Sequence, residues 1–334
     1  MANVSLVTGG AGFIGSHVVD SLLKLGHQVL VLDDLSGGFR RNVDPSATFI
    51  EGSITDVGLV DRIFGAHQVD YVYHLAAYAA EGLSHFIRNF NYTNNVVGSI
   101  NLINAAVVHR CQCFVFTSSI AVYGSEQVPM LETTVPRPED PYGIAKYAVE
   151  LDLMAAQRLF GLDYIIFRPH NVYGERQNLG DPYRNVIGIF MNQIMQGLPC
   201  TIFGDGTQTR AFTYIADVAP IIARSVDCPA ACNQVFNIGA DVPYSVSELV
   251  REVQGAMGKE TGTVHLPARK ETLHAFSDHS KLREVFGTGA AASLKEGLQR
   301  MAQWAKLAGV QRSKPFGKVE ISRELPGSWK SFLN

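Results

Sequence analysis

No apolar run in this 334-residue chain approaches the ~18 residues a membrane span needs, which excludes a helical membrane protein. Nor is there a charged-then-apolar leader. A strand pattern begins within a few residues of Met1, so no signal peptide is expected. Cysteine is scarce: Cys111, Cys113, Cys200, Cys228 and Cys232 are an odd set of five without a disulfide framework. Cys111-x-Cys113 and Cys228-x3-Cys232 lack partner pairs at zinc spacing, so half-buried thiols and no metal site are expected. A net charge of −3 gives no electrostatic ground for a nucleic-acid or acidic-membrane partner. Charged residues make up only 18% and hydrophobic ones 46%, which fits a folded globular chain and not a disordered one. No internal repeat is evident. A reducing, cytoplasmic setting suits all of this.

What is present begins with Ser5 to His17, SLVTGGAGFIGSH. A short apolar run stops at Thr8, glycines follow at Gly9, Gly12 and Gly15, and an amphipathic segment starts at Val18. This reads as strand, tight turn and helix start. Gly9 permits the turn, Gly12 leaves room for a pyrophosphate, and Gly15 lets the helix pack close to the strand. The helix N-terminus offers N–H groups and a positive dipole end to the phosphates. A second apolar run, Gln28 to Leu32, ends in Asp33, where a carboxylate would meet the ribose hydroxyls of a dinucleotide. A carboxylate there repels a 2′-phosphate, which favours NAD over NADP, although Arg40 and Arg41 lie just downstream.

Strand and helix signals then alternate at βα spacing. Ala47 to Glu51 reads as a third strand, and Ser53 and Ile54 follow it at the position of an adenine border. Thr55 or Asp56 would cap a helix over Val57 to Phe64. Val69 to Leu75 is a fourth strand, closed by Ala76 and Ala77; His74 in it reads as a packed, hydrogen-bonded histidine. A long helical segment from Phe86 to Arg110 carries Asn94, and a fifth strand, Cys113 to Phe116, ends in Thr117-Ser118-Ser119. Tyr142 opens a second long helix, and the i, i+4 spacing puts Lys146 on its face. The tail from Lys314 to Asn334 is weakly patterned and is expected to cover a sheet edge or a neighbouring subunit.

A serine at a strand end with a tyrosine and a lysine one turn apart makes an acid–base set. A tyrosine with a pKa near ~10 is a poor base at neutral pH. A nearby ammonium and a positive nicotinamide would both favour the phenolate. Ser119 would hold the substrate oxygen while its proton moves.

At these residues a family becomes recognisable. TGGAGFIG, HLAA, FTSSIAVYG, YGIAK, RPHNVYG and IFGDGTQTRAFTYIADV together resemble the extended short-chain dehydrogenase/reductases, and within them nucleotide-sugar 4-epimerases of the UDP-glucose 4-epimerase type. The resemblance implies an α/β fold: a doubly wound parallel Rossmann sheet with a smaller C-terminal α/β substrate lobe. The NAD-binding domain would take residues 1–170 and about 212–240, the nucleotide-sugar lobe residues 171–211 and 241–334. It implies Ser119, Tyr142 and Lys146 as the catalytic set. Around NAD it implies Gly9, Gly12, Phe13, Ile14, Gly15, Asp33, Ser53, Ile54, Leu75, Ala76, Ala77, Asn94, Tyr142 and Lys146. Facing a UDP-sugar it implies Ser119, Asn171, Asn185, Val186, Ile202, Phe203 and Arg210, the last pairing with the diphosphate.

Departures from the family pattern narrow the reaction. Ile120 and Ala121 stand where relatives that eliminate water from C6 carry an Asp-Glu pair, and two apolar side chains cannot work on C5 and C6. Epimerisation at C4 needs only the serine, tyrosine and lysine. A 4-dehydrogenase or 4-reductase, a 4,6-dehydratase and a non-catalytic NAD-binding sensor or scaffold are the alternatives. Ser53 replaces an aspartate that often contacts adenine, and His170 replaces an aromatic beside the nicotinamide. Ala275, or neighbouring Phe276, would gate the sugar's 2-substituent. Arg184 would match a uronate carboxylate, or be a solvated loop arginine. UDP-glucose and UDP-galactose therefore rank first, UDP-glucuronate second and UDP-N-acetylglucosamine third. A homodimer is expected through the two long helices, on the apolar content of Val96, Val97, Ile100, Leu151, Leu153 and Met154.

Overall fold

The computed structural model describes residues 2–125, 128–184, 186–268, 272–289, 291–313, 316–317 and 319–330. Its centre is a seven-stranded parallel sheet. The strands are β1 (Val4–Thr8), β2 (Gln28–Asp33), β3 (Thr48–Glu51), β4 (Tyr71–His74), β5 (Cys113–Thr117), β6 (Asp163–Pro169) and, much later, a strand at Gln234–Ile238. Helices α1 (Phe13–Lys24), α2 (Val57–Ala66), α3 (Glu81–Ser84), α4 (Arg88–Tyr92), α5 (Gly98–Val108) and α6 (Pro141–Phe160) connect the first six. A single π-helical stretch, Thr93–Val97, joins α4 to α5, so the expected long helix exists with a widened turn at Asn94. Asp56 caps α2 by accepting the Leu59 N–H at 2.9 Å.

A smaller lobe is built from β7 (Val172–Tyr173), α7 (Val186–Met195), β8 (Cys200–Phe203) and β9 (Thr209–Ala211); β10 (Thr213–Tyr214) pairs with β7, and α8 (Ala219–Arg224) returns to pack on α1 against the central sheet. The chain then enters the sheet strand β11 (Gln234–Ile238). It leaves again through β12 (Pro243–Ser245), α9 (Val246–Met257), β13 (Thr263–Leu266), β14 (His274–Ala275), α10 (Ser280–Phe286), α11 (Leu294–Ala308) and α12 (Gly327–Lys330). Sheet order is β11-β6-β5-β4-β1-β2-β3, so the winding reverses between β1 and β4. Ligands of such sheets sit at that switch point, beyond the carboxyl ends of the strands.

Strand alternation divides the core. Leu6, Leu30, Val72, Phe114 and Ile166 face α2, α5 and α6, while Val7, Val31, Val115, Ile165 and Phe167 face α1 and α8. The second face runs without a break into α7, α9 and α11 of the lobe. The outer edge of β11 is stopped by side chains: Lys281 Nζ donates to the Val235 carbonyl at 2.9 Å, and Glu132 accepts the Asn237 N–H at 2.8 Å. Cys111, Cys113 and Cys200 are buried and Cys228 and Cys232 half-buried, all as free thiols. Among the described residues no helix is long and apolar enough to cross a membrane, and no cluster of metal-ligating side chains occurs.

His74 and His170 are buried within hydrogen-bond networks. His74 meets Thr8 Oγ1 at 2.7 Å and Ser99 Oγ at 2.8 Å. His170 meets the Ala211 carbonyl at 3.1 Å and His279 Nε2 at 3.0 Å, and His279 in turn meets Asp241 at 2.7 Å. Burial holds the His74 pKa well below its ordinary value and that of His170 down to about 3. Below about pH 6.5 the unfolded chain takes up protons that these folded imidazoles refuse, so stability is lost as pH falls through that window. Urea unfolding at pH 5 should give a free energy lower than at pH 7.5 by roughly 2 kcal/mol per imidazole. Equal values at the two pHs would contradict this account.

Candidate active site

At the switch point lies one continuous cavity of about 1580 Å³. Its dinucleotide end is made by the β1–α1 turn. Gly9 adopts φ +71°, and a Cβ there would stand 2.7 Å from the Ala76 backbone nitrogen. Gly15 has even less room: a Cβ would lie within bonding range of the Gly9 carbonyl, so the helix start and the turn are in direct backbone contact. Helix α1 begins at Gly12 with no side-chain cap, which leaves its first N–H groups for a ligand. Phe13, Ile14, Gly15, Ser53, Ile54, Leu75, Ala76, Ala77 and Asn94 all line this end.

Asp33 closes it. Its carboxylate accepts N–H bonds from Ala11 at 2.9 Å and Leu35 at 2.8 Å. Burial pushes its pKa up, and those backbone donors oppose the shift. A carboxylate held at a strand end beside a glycine turn that a single Cβ would fill suits a dinucleotide with free ribose hydroxyls. The residues present therefore fit NAD.

The acid–base set stands at the centre. Ser119 ends β5 and caps the 3-10 turn Ile120–Tyr123 by accepting the Ala121 N–H at 3.1 Å. Asp140 caps α6 through the Gly143 N–H at 2.9 Å, which places Tyr142 in its first turn. The Ser119 side chain stands beside the Tyr142 hydroxyl, near enough to pull its pKa down. Lys146 Nζ donates to the Thr117 carbonyl at 2.7 Å, lies 4.6 Å from the centre of the Phe116 ring and is 5.9 Å from that of Tyr142.

The electrostatics differ from the sequence expectation. Burial lowers Lys146 to about 7, with the Glu150 carboxylate opposing the shift. Tyr142 is pushed up, chiefly by burial, and further by the charges of Asp140 and Glu81. The Ser119 side chain and the Arg184 charge pull it back only in part. The chain's own groups thus do not produce a phenolate: the ammonium is directed at the Thr117 carbonyl, and desolvation outweighs the favourable contacts.

The sugar end is formed by the lobe. Asn171, Arg184, Val186, Phe203 and Arg210 line it. Arg210 is aimed by backbone carbonyls, its Nη1 donating to Thr209 at 2.8 Å and to Leu273 at 3.1 Å. Two expected contacts do not reach the cavity. Ile202 points into the core because alternation along β8 turns Thr201 and Phe203 toward the cavity instead. Ala275 is buried against Val122, Tyr123 and Met130, and Phe276 does not line the cavity either, since β14 pairs with β9 and faces inward. Asn185 lies outside the described residues. Arg184 is not a solvated loop residue: both Nε and Nη2 contact Asp181, at 2.7 and 2.6 Å, and its guanidinium covers the Tyr78 ring. His170 does not reach the cavity either; its ring turns away toward His279, and Gly239 is pressed against it.

Other functional positions carried no readable signal. Tyr78, Glu81, Gly82 and His85 also line the cavity, from α3 and the residues flanking it. The tail contributes Arg323, Pro326 and Trp329 to the cavity wall. Its described residues lie across residues 78–90 and not along an edge of the central sheet.

Residues 5–239 match the NAD dependent epimerase/dehydratase family. The chain belongs to that family. Its cofactor is NAD. A UDP-glucose 4-epimerase from Mycolicibacterium smegmatis is 34% identical over 310 residues, covering 90% of this chain and 97% of the relative. The solved UDP-glucose 4-epimerase of Thermotoga maritima with UDP-glucose is 36% identical with a TM-score of 0.86, over 91% of this chain and 99% of that one. A UDP-glucuronic acid 4-epimerase from Bacillus cereus, solved with UDP-glucuronic acid and NAD, is 28% identical with a TM-score of 0.84, over 91% and 99%.

Beneath the acid–base set of this family member lies a buried ion pair. Arg168 Nε and Nη2 bond Glu150 at 3.0 and 2.5 Å, and the Ser118 hydroxyl donates to Glu150 at 2.5 Å. Neither charged side chain is more than 4% exposed. Glu150→Ala should cost about 3–5 kcal/mol in urea unfolding by stranding the arginine, whereas Glu252→Ala on the surface should be nearly neutral. A loss below about 1 kcal/mol for Glu150→Ala would show that the pair is not what holds β6 to α6.

Proposed function

We propose that this protein inverts C4 of a UDP-hexose, with UDP-glucose and UDP-galactose as the first-ranked pair, through a 4-keto sugar. The observation that carries the reading is the convergence of Ser119, Tyr142 and Lys146 on the cavity that holds the glycine turn and Asp33. Ile120 and Ala121 follow the serine and supply no acid or base for elimination at C5 and C6. The names of the relatives at 34 and 36% identity agree with it.

NAD, when bound, supplies the acceptor and donor of the C4 hydride, and its positive ring favours the tyrosinate. Tyr142 takes the proton of the 4-hydroxyl and returns it after the sugar has turned over. Ser119 stands beside Tyr142 and holds the oxygen between them while the proton moves. Lys146, near 7, exchanges its proton readily at neutral pH and is fixed by Thr117 beside the ring. Arg210 receives the diphosphate. Arg184 supports a second reading, UDP-glucuronate, because it lines the cavity; Asp181 already neutralises it, which keeps the plain hexoses first.

The same reading divides the chain into a NAD-binding domain, residues 1–170 and about 212–240, and a sugar lobe, residues 171–211 and 241–334. The return of β11 to the central sheet supports that division. A homodimer through α5 and α6 also belongs to the proposal. Leu153 is sealed in the subunit's own core, while Ile100 and Met154 pack against it. Val108 on α5 and Ile144, Leu151, Leu159 and Phe160 on α6 are exposed apolar residues, as is Val97 just before α5.

Chromatographic assay of UDP-glucose, UDP-glucuronate and UDP-N-acetylglucosamine tests the reaction, with interconversion of UDP-glucose and UDP-galactose expected. Tyr142→Phe should lower kcat by at least about 10³-fold while nucleotide-sugar binding stays within about threefold. Near-normal turnover in that variant would refute the assignment. Light scattering at micromolar concentration should give twice the monomer mass; a monomer there would refute the dimer.

A further inference from the structure

The C-terminal segment from Phe316 onward lies outside the residues matched to the family, yet it is built into the wall of the cavity. It has its own apolar cluster, separate from both faces of the sheet, with Leu325 and Trp329 packed on Ala80, Leu83 and Ile87. The Trp329 ring stands edge-on to Phe86 at 6.2 Å and to Tyr183 at 5.4 Å. It also presses on Gly82, where an added Cβ would meet it at 3.2 Å. Phe316 packs against Tyr78 at 5.2 Å and Phe90 at 4.9 Å. Glu320 accepts the N–H groups of Asn89 and Phe90 at 2.7 and 2.8 Å, so the segment is tied by hydrogen bonds as well as by packing.

What it holds stands next to the chemistry. Ser84, two residues after Gly82, accepts the Tyr142 N–H at 3.3 Å. Glu81 raises the Tyr142 pKa and Arg184 lowers it, so both charges are felt at the phenol. Glu81 neighbours Gly82, Arg184 follows Tyr183, and the guanidinium rests on Tyr78. One indole therefore touches both loops that bring charge to the catalytic tyrosine.

We propose that the C-terminal segment is a clasp, with Trp329 as a positioning residue that sets these two loops and so fixes the sugar-side wall of the site. The proposal rests on the epimerase reading. It predicts that loss of the clasp weakens recognition of the sugar and leaves the dinucleotide end, which the clasp does not touch, intact. Nothing in it requires Trp329 to contact the reacting atoms.

In the NAD-loaded full chain, Trp329→Ala should raise KM for UDP-glucose about tenfold, with kcat and bound NAD within about threefold of wild type. Trp329→Phe should restore most of the KM, because an edge-on ring is retained. An unchanged KM in Trp329→Ala would overturn the proposal. Should that variant fail to fold, Glu320→Ala removes both side-chain acceptors for residues 89–90, and a rise in KM of about threefold is expected; no rise would be decisive against the clasp. Failure of the epimerase reading shows separately, as a wild-type protein that converts none of the sugars. The chain has two tryptophans, so in Trp304→Phe the emission of Trp329 alone can be followed. A shift on adding UDP-glucose or UDP-glucuronate supports the clasp, and no shift with either overturns it.

Discussion

A lysine ammonium sealed among apolar groups, bonded to a backbone carbonyl and to no carboxylate, is the constraint around which this site is arranged. Lys146 can be kept there only because the end of β5 is committed to it. Three successive residues divide the work: the Thr117 carbonyl receives the ammonium, the Ser118 hydroxyl ties down Glu150, and the Ser119 hydroxyl meets Tyr142. Strand alternation sends the two serines to opposite sides, one toward the α6 ion pair and one toward the cavity. Glu150 lies one helical turn beyond Lys146 and is occupied by Arg168, so it acts on the lysine through its field alone. Burial outweighs that field, and the lysine yields its proton near neutrality as a result.

That arrangement explains why the two ends of the cavity are built so differently. The dinucleotide end is backbone and small side chains, a surface whose shape is set by contacts between β1, α1 and β4. The sugar end is side chains carried by loops, held by aromatic packing and by ion pairs such as Arg184–Asp181. The first is rigid by construction; the second owes its form to whatever packs behind it.

The legibility of the chain follows the same line. The glycine turn, Asp33, the strand-end serine and the Tyr142–Lys146 spacing are local patterns, and the structure places all of them around one cavity. His74 as a packed histidine and Asp56 as a cap were equally readable, each fixed by neighbours close in sequence or by strand alternation. The sugar side was not. Whether Ile202 or Thr201 faces the cavity depends on a one-residue phase in a four-residue strand, and Ala275 is turned inward by a partner strand 65 residues away. The burial that raises the Tyr142 pKa in this chain has no signature in a motif. The tail escaped because most of its contacts are with residues more than 200 positions earlier, and a lone tryptophan has no period.

The position of β11 in the chain has a consequence for how the molecule comes into being. Six strands of the sheet have been synthesised by Pro169, but the seventh arrives only at Gln234, after roughly 65 further residues. At ribosomal speeds of about 5–20 residues per second, the open side of β6 waits on the order of several seconds for its neighbour. Through that interval an unpaired parallel edge is exposed to other nascent chains. The strand that finally closes it brings Asn237, whose N–H is stopped by Glu132, a residue made long before, while Lys281 is made shortly after and stops the Val235 carbonyl. The β6 side of the sheet is therefore open to misassociation during translation, and once the chain has passed Lys281 both stops on β11 have been made.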